Sequence, residues 1–173
     1  RGFQGQIESG EVKVGDEIVT LPSNERAHIK SILVGDKDSQ SAFMGQPVTL
    51  QLDKEVDVSR GCVIASGNNL PISKSFTATI LWMDDEELTP GTDYLVKLGT
   101  KQIPGILKNI QYKIDVNTGE FIPAGQLKKN EIAVCDLDLQ EPIVIDEFKK
   151  HKTLGELILI DRISNMTSAC GVV

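Results

Sequence analysis

The sequence predicts an all-β protein, with many short antiparallel strands folded as sandwiches or barrels in two successive domains. Three observations predict it. Apolar and polar residues alternate with a period of two along most of the chain, which sets one strand face on a core and the other in water. No window of about ten residues sustains a helical period. Turn-forming residues recur at short intervals, as they do in chains of many short strands.

Taken in order, Gly15-Asp16, Pro22-Ser23-Asn24 and Gly35-Asp36 punctuate the first third of the chain. Val48, Leu50 and Leu52 then share one face, with Thr49, Gln51 and Asp53 on the other. The run Ser66-Gly67-Asn68-Asn69-Leu70-Pro71 is polar, contains Gly and Pro, and breaks the alternation. It reads as a linker over 66–71, between a first domain at 1–67 and a second at 72–173. The first, of roughly 65 residues, is small for independent stability, so packing against a neighbour is expected. Alternation resumes with Phe76, Ala78, Ile80 and Trp82, and the turn at Pro90-Gly91 follows. The clearest two-residue period sets Ile110, Tyr112, Ile114 and Val116 against Asn109, Gln111, Lys113 and Asp115, before a turn at Asn117-Thr118-Gly119. The best helical stretch, Asp146 to Lys152, is read as a turn or a single helical turn.

Composition narrows the function. The chain has 173 residues, 18 Lys and Arg against 25 Asp and Glu, and a formal net charge of −7. Both parts are acidic: residues 1–70 hold 7 basic and 10 acidic groups, leaving 11 and 15 for the rest. Binding a phosphate backbone requires a basic footprint, so no nucleic-acid partner is expected. Apolar runs fall far short of the roughly 20 residues that span a bilayer, so no membrane partner is expected either. No leader is recognisable, and a cytoplasmic location is expected. The first residue is Arg1 rather than Met, which reads as a processed or excised piece of something longer.

The three cysteines, Cys62, Cys135 and Cys170, are odd in number and form no C-x-x-C pair. They read as reduced, mostly buried thiols rather than a disulfide framework. The two histidines, His28 and His151, stand apart without metal-ligand spacing. The sequence has no Gly-Lys pair, no Asp with Gly three residues on, no Asn followed by Lys, and no G-x-G-x-x-G, G-x-S-x-G or H-E-x-x-H. Phosphate-loop, guanine-reading, dinucleotide, serine-hydrolase and zinc-protease signatures are therefore missing.

Weaker features each have a bland reading beside the functional one. Asp84-Asp85-Glu86-Glu87 offers oxygen ligands to a divalent cation, but consecutive residues rarely converge on one ion and a solvated loop is the plainer reading. Asp136 and Asp138 share one side of a strand and form a carboxylate pair of the kind used in acid–base work, but no second polar group is expected to be placed to tune either one. Lys149-Lys150-His151-Lys152 is a short basic patch, read first as a solvated turn. Trp82-Met83 reads as strand packing before exposed contact. Asn165-Met166-Thr167 fits a glycosylation sequon that a cytoplasmic chain would not use. No residue is assigned a catalytic, cofactor-binding or metal-binding role.

The opening Gly2-Phe3-Gln4-Gly5-Gln6-Ile7-Glu8-Ser9-Gly10 leads into Val12-Lys13-Val14-Gly15-Asp16-Glu17-Ile18, then Ala42-Phe43-Met44-Gly45-Gln46-Pro47-Val48-Thr49-Leu50 and Asp57-Val58-Ser59-Arg60-Gly61. In that order these resemble the second domain of translational-type GTPases such as elongation factor Tu. Trp82-Met83, Leu88-Thr89-Pro90-Gly91, Tyr112-Lys113-Ile114-Asp115-Val116-Asn117 and Leu159 to Thr167 continue the likeness. Together they resemble the third domain of the large, GTP-binding subunit of bacterial sulfate adenylyltransferase. The closing Thr167-Ser168-Ala169-Cys170-Gly171 departs from the family's T-x-G-A-G, and Ala169 leaves the local turn geometry in question.

The resemblance implies two antiparallel β-barrels of the elongation-factor domain 2 and domain 3 types. It implies an N-terminal GTPase domain outside this sequence, which would hold GTP and Mg²⁺, and no cofactor in the barrels themselves. It further implies a heterodimer with a small ATP-sulfurylase subunit that makes adenosine 5′-phosphosulfate and pyrophosphate from ATP and sulfate, driven by GTP hydrolysis on the large subunit, in sulfate assimilation towards cysteine. The alternative is the barrel pair of an elongation-factor-type GTPase that binds aminoacyl-tRNA, since one fold hosts both roles. The acidic balance of both parts argues against it.

Overall fold

The structure, a computed structural model, describes residues 1–67 and 69–173. Asn68, inside the stretch read as a linker, lies outside the described residues. The chain divides into two compact units, Arg1–Leu70 and Pro71–Val173. Both are β-barrels, as the alternation and the family resemblance anticipated, and all strand pairs are antiparallel.

The first unit contains β1 (Gly2–Gln6), β2 (Glu11–Lys13), β3 (Glu17–Leu21), β4 (Glu25–Val34), β5 (Lys37–Ser39), β6 (Ser41–Phe43), β7 (Pro47–Leu52) and β8 (Val63–Ala65). Its main sheet runs β1-β7-β4-β3-β8 with β5 on β4, and β2 pairs separately with β6. Gly15, at φ 95°, turns the chain between β2 and β3, a backbone state that glycine enters without a Cβ penalty. In β4, Ala27 and Ile29 face inward, but the next core residue is Ile32, three positions on. A register shift between Ile29 and Ser31 accounts for the skipped beat. These residues meet Ile18, Ala42, Val48 and Leu50 in one core. Arg60-Gly61 precedes β8, with Gly61 at φ 91°.

The second unit contains β9 (Ile72–Trp82), β10 (Asp93–Leu98), β11 (Lys101–Ile114), β12 (Phe121–Ile122), β13 (Ile132–Val144), a single helical turn α1 (Lys152–Gly155), β14 (Glu156–Asp161) and β15 (Thr167–Val172). Its sheet runs β10-β14-β15-β9-β13-β11, and β10 also pairs with β11, so the ring closes. β12 hangs on the end of β11 as a short flap. Every second residue of β9, from Ala78 through Ile80 to Trp82, enters the core with Leu107, Leu137 and Leu159. Trp82 is almost fully enclosed, sets its ring edge-on to Tyr94 at 6.0 Å, and donates its indole N–H to the Glu86 carbonyl at 2.8 Å. It is a core residue, not a contact surface, whereas Met83 is 40% exposed.

Two sequence expectations change here, and a third holds. The strong alternation at 110–116 does not follow one face, because β11 carries two extra residues. Asn109 faces Asp136 and Leu107 faces Leu137, leaving Lys108 without a partner; Gln111 is skipped in the same way between Ile110 and Tyr112. Ile110 is buried, Tyr112 and Ile114 are half-buried, and Val116 is 68% exposed beyond the strand end. The stretch from Asp146 to Lys152 does turn, over residues 148–150, and the single helical turn starts at its last residue and runs Lys152–Gly155. Finally, residues 167–171 form no turn. Ala169 sits buried in mid-strand opposite Trp82 and Leu159, so nothing there requires a glycine's freedom.

Gly171 does need to be small. A Cβ there would stand 2.7 Å from the Thr79 carbonyl oxygen and 2.5 Å from Ile80 Cδ1. Gly5 has nothing within 4 Å of the equivalent position. Gly171→Ala is expected to cost about 1–3 kcal/mol by overpacking, and Gly5→Ala less than about 1 kcal/mol. Urea unfolding midpoints of the two variants check this, and equal losses would contradict the packing described.

Candidate functional site

The polar residues picked out in the sequence fall on three surfaces of the second barrel and one of the first. On the outer face of β13, Asp136 and Asp138 do point the same way, as expected. Asp136 accepts the Thr77 hydroxyl and the Gln111 amide, each at 2.8 Å. Asp138 accepts the Ser75 hydroxyl at 2.7 Å, and Lys108 Nζ lies 3.5 Å from its other oxygen. Contrary to the sequence expectation, polar groups are placed on both carboxylates: Ser75 and Thr77 from β9, and Lys108 and Gln111, the residues skipped in the β11 register. Hydrogen bonds from Thr77 and then Gln111 hold the Asp136 carboxyl below its ordinary range, and Ser75 and then Lys108 do so for Asp138. A general base at neutral pH needs a pKa pushed towards 7, so both groups are held in the wrong direction for proton transfer. They act as fixed acceptors that tie β9, β11 and β13 together.

The acidic run at 84–87 is dispersed rather than convergent. Asp84 accepts the buried Ser168 hydroxyl at 3.0 Å and the Glu86 N–H at 3.1 Å, while Asp85 pairs with Lys129 at 2.9 Å. Among the described residues no three His, Cys, Asp or Glu side chains are placed to hold a metal ion. Tyr94, beneath this loop, is pushed up to about 12 by burial, with Asp161, Asp84 and Glu86 adding repulsion. It stays a phenol and serves packing.

The connection from Asp146 to Gly155 forms a strap over one rim of the barrel. Asp146, which the sequence gave no reason to notice, is largely buried and takes His151 Nδ1 at 2.8 Å on one oxygen and the Glu147 N–H at 2.8 Å on the other. The His151 contact, reinforced by the Glu147 amide, holds its carboxyl below the ordinary range. Lys149, Lys150 and Lys152 project outward from this strap.

In the first barrel, His28 lies in β4 between Glu17 and Asp53, with ring nitrogens 3.9 and 3.4 Å from their carboxylates. The His28 N–H also donates to Asp53 Oδ1 at 2.8 Å, and that bond leads in keeping the Asp53 carboxyl low. The arrangement clamps the end of β7 to β4. Among the cysteines, Cys135 is buried and its thiol is pushed up to about 12 by burial, while Cys62 and Cys170 are half-buried. The Asn165-Met166-Thr167 sequon sits on the β14–β15 turn, with Asn165 at φ 65° and Met166 69% exposed. No described helix is long and apolar enough to cross a membrane.

Two predictions follow from these environments. Cys135 should not react with a thiol reagent at pH 8 in the folded protein and should become titratable in denaturant; rapid labelling of all three thiols in the native state would contradict its burial. A carboxyl with a lowered folded-state pKa stabilises the protein above its unfolded value, near 3.9 for Asp, and that stability is lost as pH falls through the folded value. Asp146→Asn should therefore be less stable than the unmodified protein at pH 7, and the gap should narrow over the window in which pH falls below about 4. Urea midpoints across that window test it, and a constant gap would contradict it.

Comparison with known proteins agrees with this architecture. The model of the family described as GTP-eEF1A C-terminal domain-like matches residues 75–173. The chain is 40% identical over 173 residues to a protein of Teredinibacter turnerae named sulfate adenylyltransferase subunit 1, covering 99% of this chain and 37% of that protein. It is 41% identical to the protein of the same name from Shewanella woodyi, covering 100% of this chain and 37% of the relative. A protein of Rhodopirellula baltica named bifunctional enzyme CysN/CysC is 41% identical over 100% of this chain and 27% of its own length. The chain thus spans little more than a third of the first two relatives. A crystal structure of Sup35 complexed with GDP superposes with a TM-score of 0.90 at 22% identity, covering 99% of this chain and 43% of that one, a likeness of fold.

Proposed function

This chain belongs to the GTP-eEF1A C-terminal domain-like family, and from that membership we propose that it forms the two-barrel, non-catalytic portion of the GTP-binding subunit of a sulfate adenylyltransferase. The observation that carries this reading is identity of about 40% extending over the whole chain, across both barrels, with proteins named sulfate adenylyltransferase subunit 1. In this reading 1–67 and 72–173 are the domain 2 and domain 3 barrels, 66–71 links them, and the protein works in the cytoplasm.

GTP and Mg²⁺ would belong to a separate nucleotide-binding domain. The residues of this chain do not fit that group: the sequence has no Gly-Lys phosphate loop, and no three described carboxylates or imidazoles converge. The small partner subunit would join ATP to sulfate, giving adenosine 5′-phosphosulfate and pyrophosphate, an uphill reaction driven by GTP hydrolysis. The barrels contribute transmission. A closed ring of strands cannot shear without breaking its ladder of backbone hydrogen bonds, so a displacement at one rim reaches the other with little loss. Coupling of this kind requires contacts whose free energy differs between two states, typically by about 1–3 kcal/mol.

Isothermal titration of the chain with GTP is expected to show no saturable binding. The full-length subunit should co-purify with the small subunit and lose it when these 173 residues are removed. Micromolar GTP binding by the chain alone, or undiminished small-subunit capture without it, would overturn the proposal.

A further inference from the structure

Strands of the second barrel turn alternate side chains inward and outward, and the outward ones are expected to be polar where water covers them. Across one band they are not. The register sets Ile158 opposite Cys170, Cys170 opposite Leu81, Leu81 opposite Ile132, and Ile132 opposite Ile114, whose other partner is Phe121. The chain neighbours Leu157, Ala169, Ile80 and Ala133 are core residues, so this row lies on the outer face. Two residues along each strand, Val172, Thr79, Val134 and Tyr112 form a second row in the same way. None of these side chains is charged. Lys97 and Glu156 end the rows on one side, and Asp136 follows Val134 on the outer face of β13. Leu81, Val172 and Phe121 are exposed, and the others are half-buried. Single apolar residues on a surface are ordinary, but a contiguous apolar patch with a polar rim marks a contact.

The character and size of this belt select its occupant. Transient interfaces are about as polar as the rest of a protein surface, whereas permanent ones resemble a core cut in half. Six strands at a spacing of about 4.8 Å, with two rows about 7 Å apart, give a belt of roughly 300 Å². A stable complex between free partners covers about 800 Å² on each. The belt is too small to hold a second copy, and the net charge of −7 on each copy opposes such pairing. A tethered segment needs far less area, because its tether keeps it at a millimolar effective concentration. This chain covers only 37% of the relatives named sulfate adenylyltransferase subunit 1, so most of such a polypeptide lies outside it.

We propose that the belt is the seat of a permanent contact within one molecule, covered by the part of the full-length subunit that lies outside this chain. The proposal rests on the reading of this chain as one portion of that longer subunit. Cys170 stands inside the belt and serves as its probe.

The test compares the rate at which a maleimide labels Cys170 in the full-length subunit and in this chain alone, resolved by mass spectrometry. Cys135, buried in the core, reports by its protection that both are folded. The expected result is labelling of Cys170 about tenfold slower in the full-length subunit, independent of protein concentration and without the small subunit. Leu81→Lys, and separately Val172→Lys, should leave the melting of this chain unchanged and shrink that ratio. Equal Cys170 rates in the two proteins would overturn the proposal. So would protection already complete in this chain alone, protection that grows with concentration as a second copy requires, or protection that appears only when the small subunit is added. The sulfate adenylyltransferase reading is judged separately, by capture of the small subunit. Protected Cys170 in a full-length subunit that captures nothing would sink that assignment and leave the contact in place.

Discussion

Backbone amides and carbonyls that leave water must find partners, and in the second barrel that requirement organises everything else. β15 returns to β9 while β10 bonds both β11 and β14, so none of the six ring strands is left with an open edge. Closure forces alternate side chains into a single interior, and Trp82, Leu107, Leu137 and Leu159 fill it. It also explains why Gly171 is hemmed in by Thr79 and Ile80: the closing strand crosses there at close range. An open sheet of the same composition would present unpaired strand edges to other chains.

Polar side chains on the outside serve the same architecture. Asp136 and Asp138, spaced like a catalytic pair, are occupied by hydroxyl, amide and ammonium donors from β9 and β11. Asp146 closes the strap, and Asp53 clamps β7 to β4. In each case the donors keep the carboxyl ionised, which favours holding strands over passing protons. A scaffold of this kind suits a role in transmission between other active parts.

The fold was legible because it rests on local rules. Period-two alternation located β7 and β9, and the glycine turns located the ends of β2 and β3. The failures share a cause. At 110–116 the pattern looked cleanest, yet the register there depends on which residues of β13 lie opposite, a non-local fact that hydrophobic spacing does not encode. The Asp146–His151 contact joins residues five apart in a stretch with no regular period, and its burial comes from packing beneath the strap. The lysine run was visible in sequence. Its rigidity was not, because the bonds that fix it reach as far as Val173.

The two extra residues in β11 bear on how such a barrel can change over time. Lys108 and Gln111 each add local curl to a strand that must bend around the ring. Deleting either would leave the pairings on both sides in register but straighten the strand, and would remove the side chain that reaches Asp138 or Asp136. Length variation among descendants should therefore accumulate in the hairpin tips around Asn117 and Ile163, where added residues extend into solvent. The span from Leu107 to Tyr112 should keep a constant length even as its exposed side chains drift.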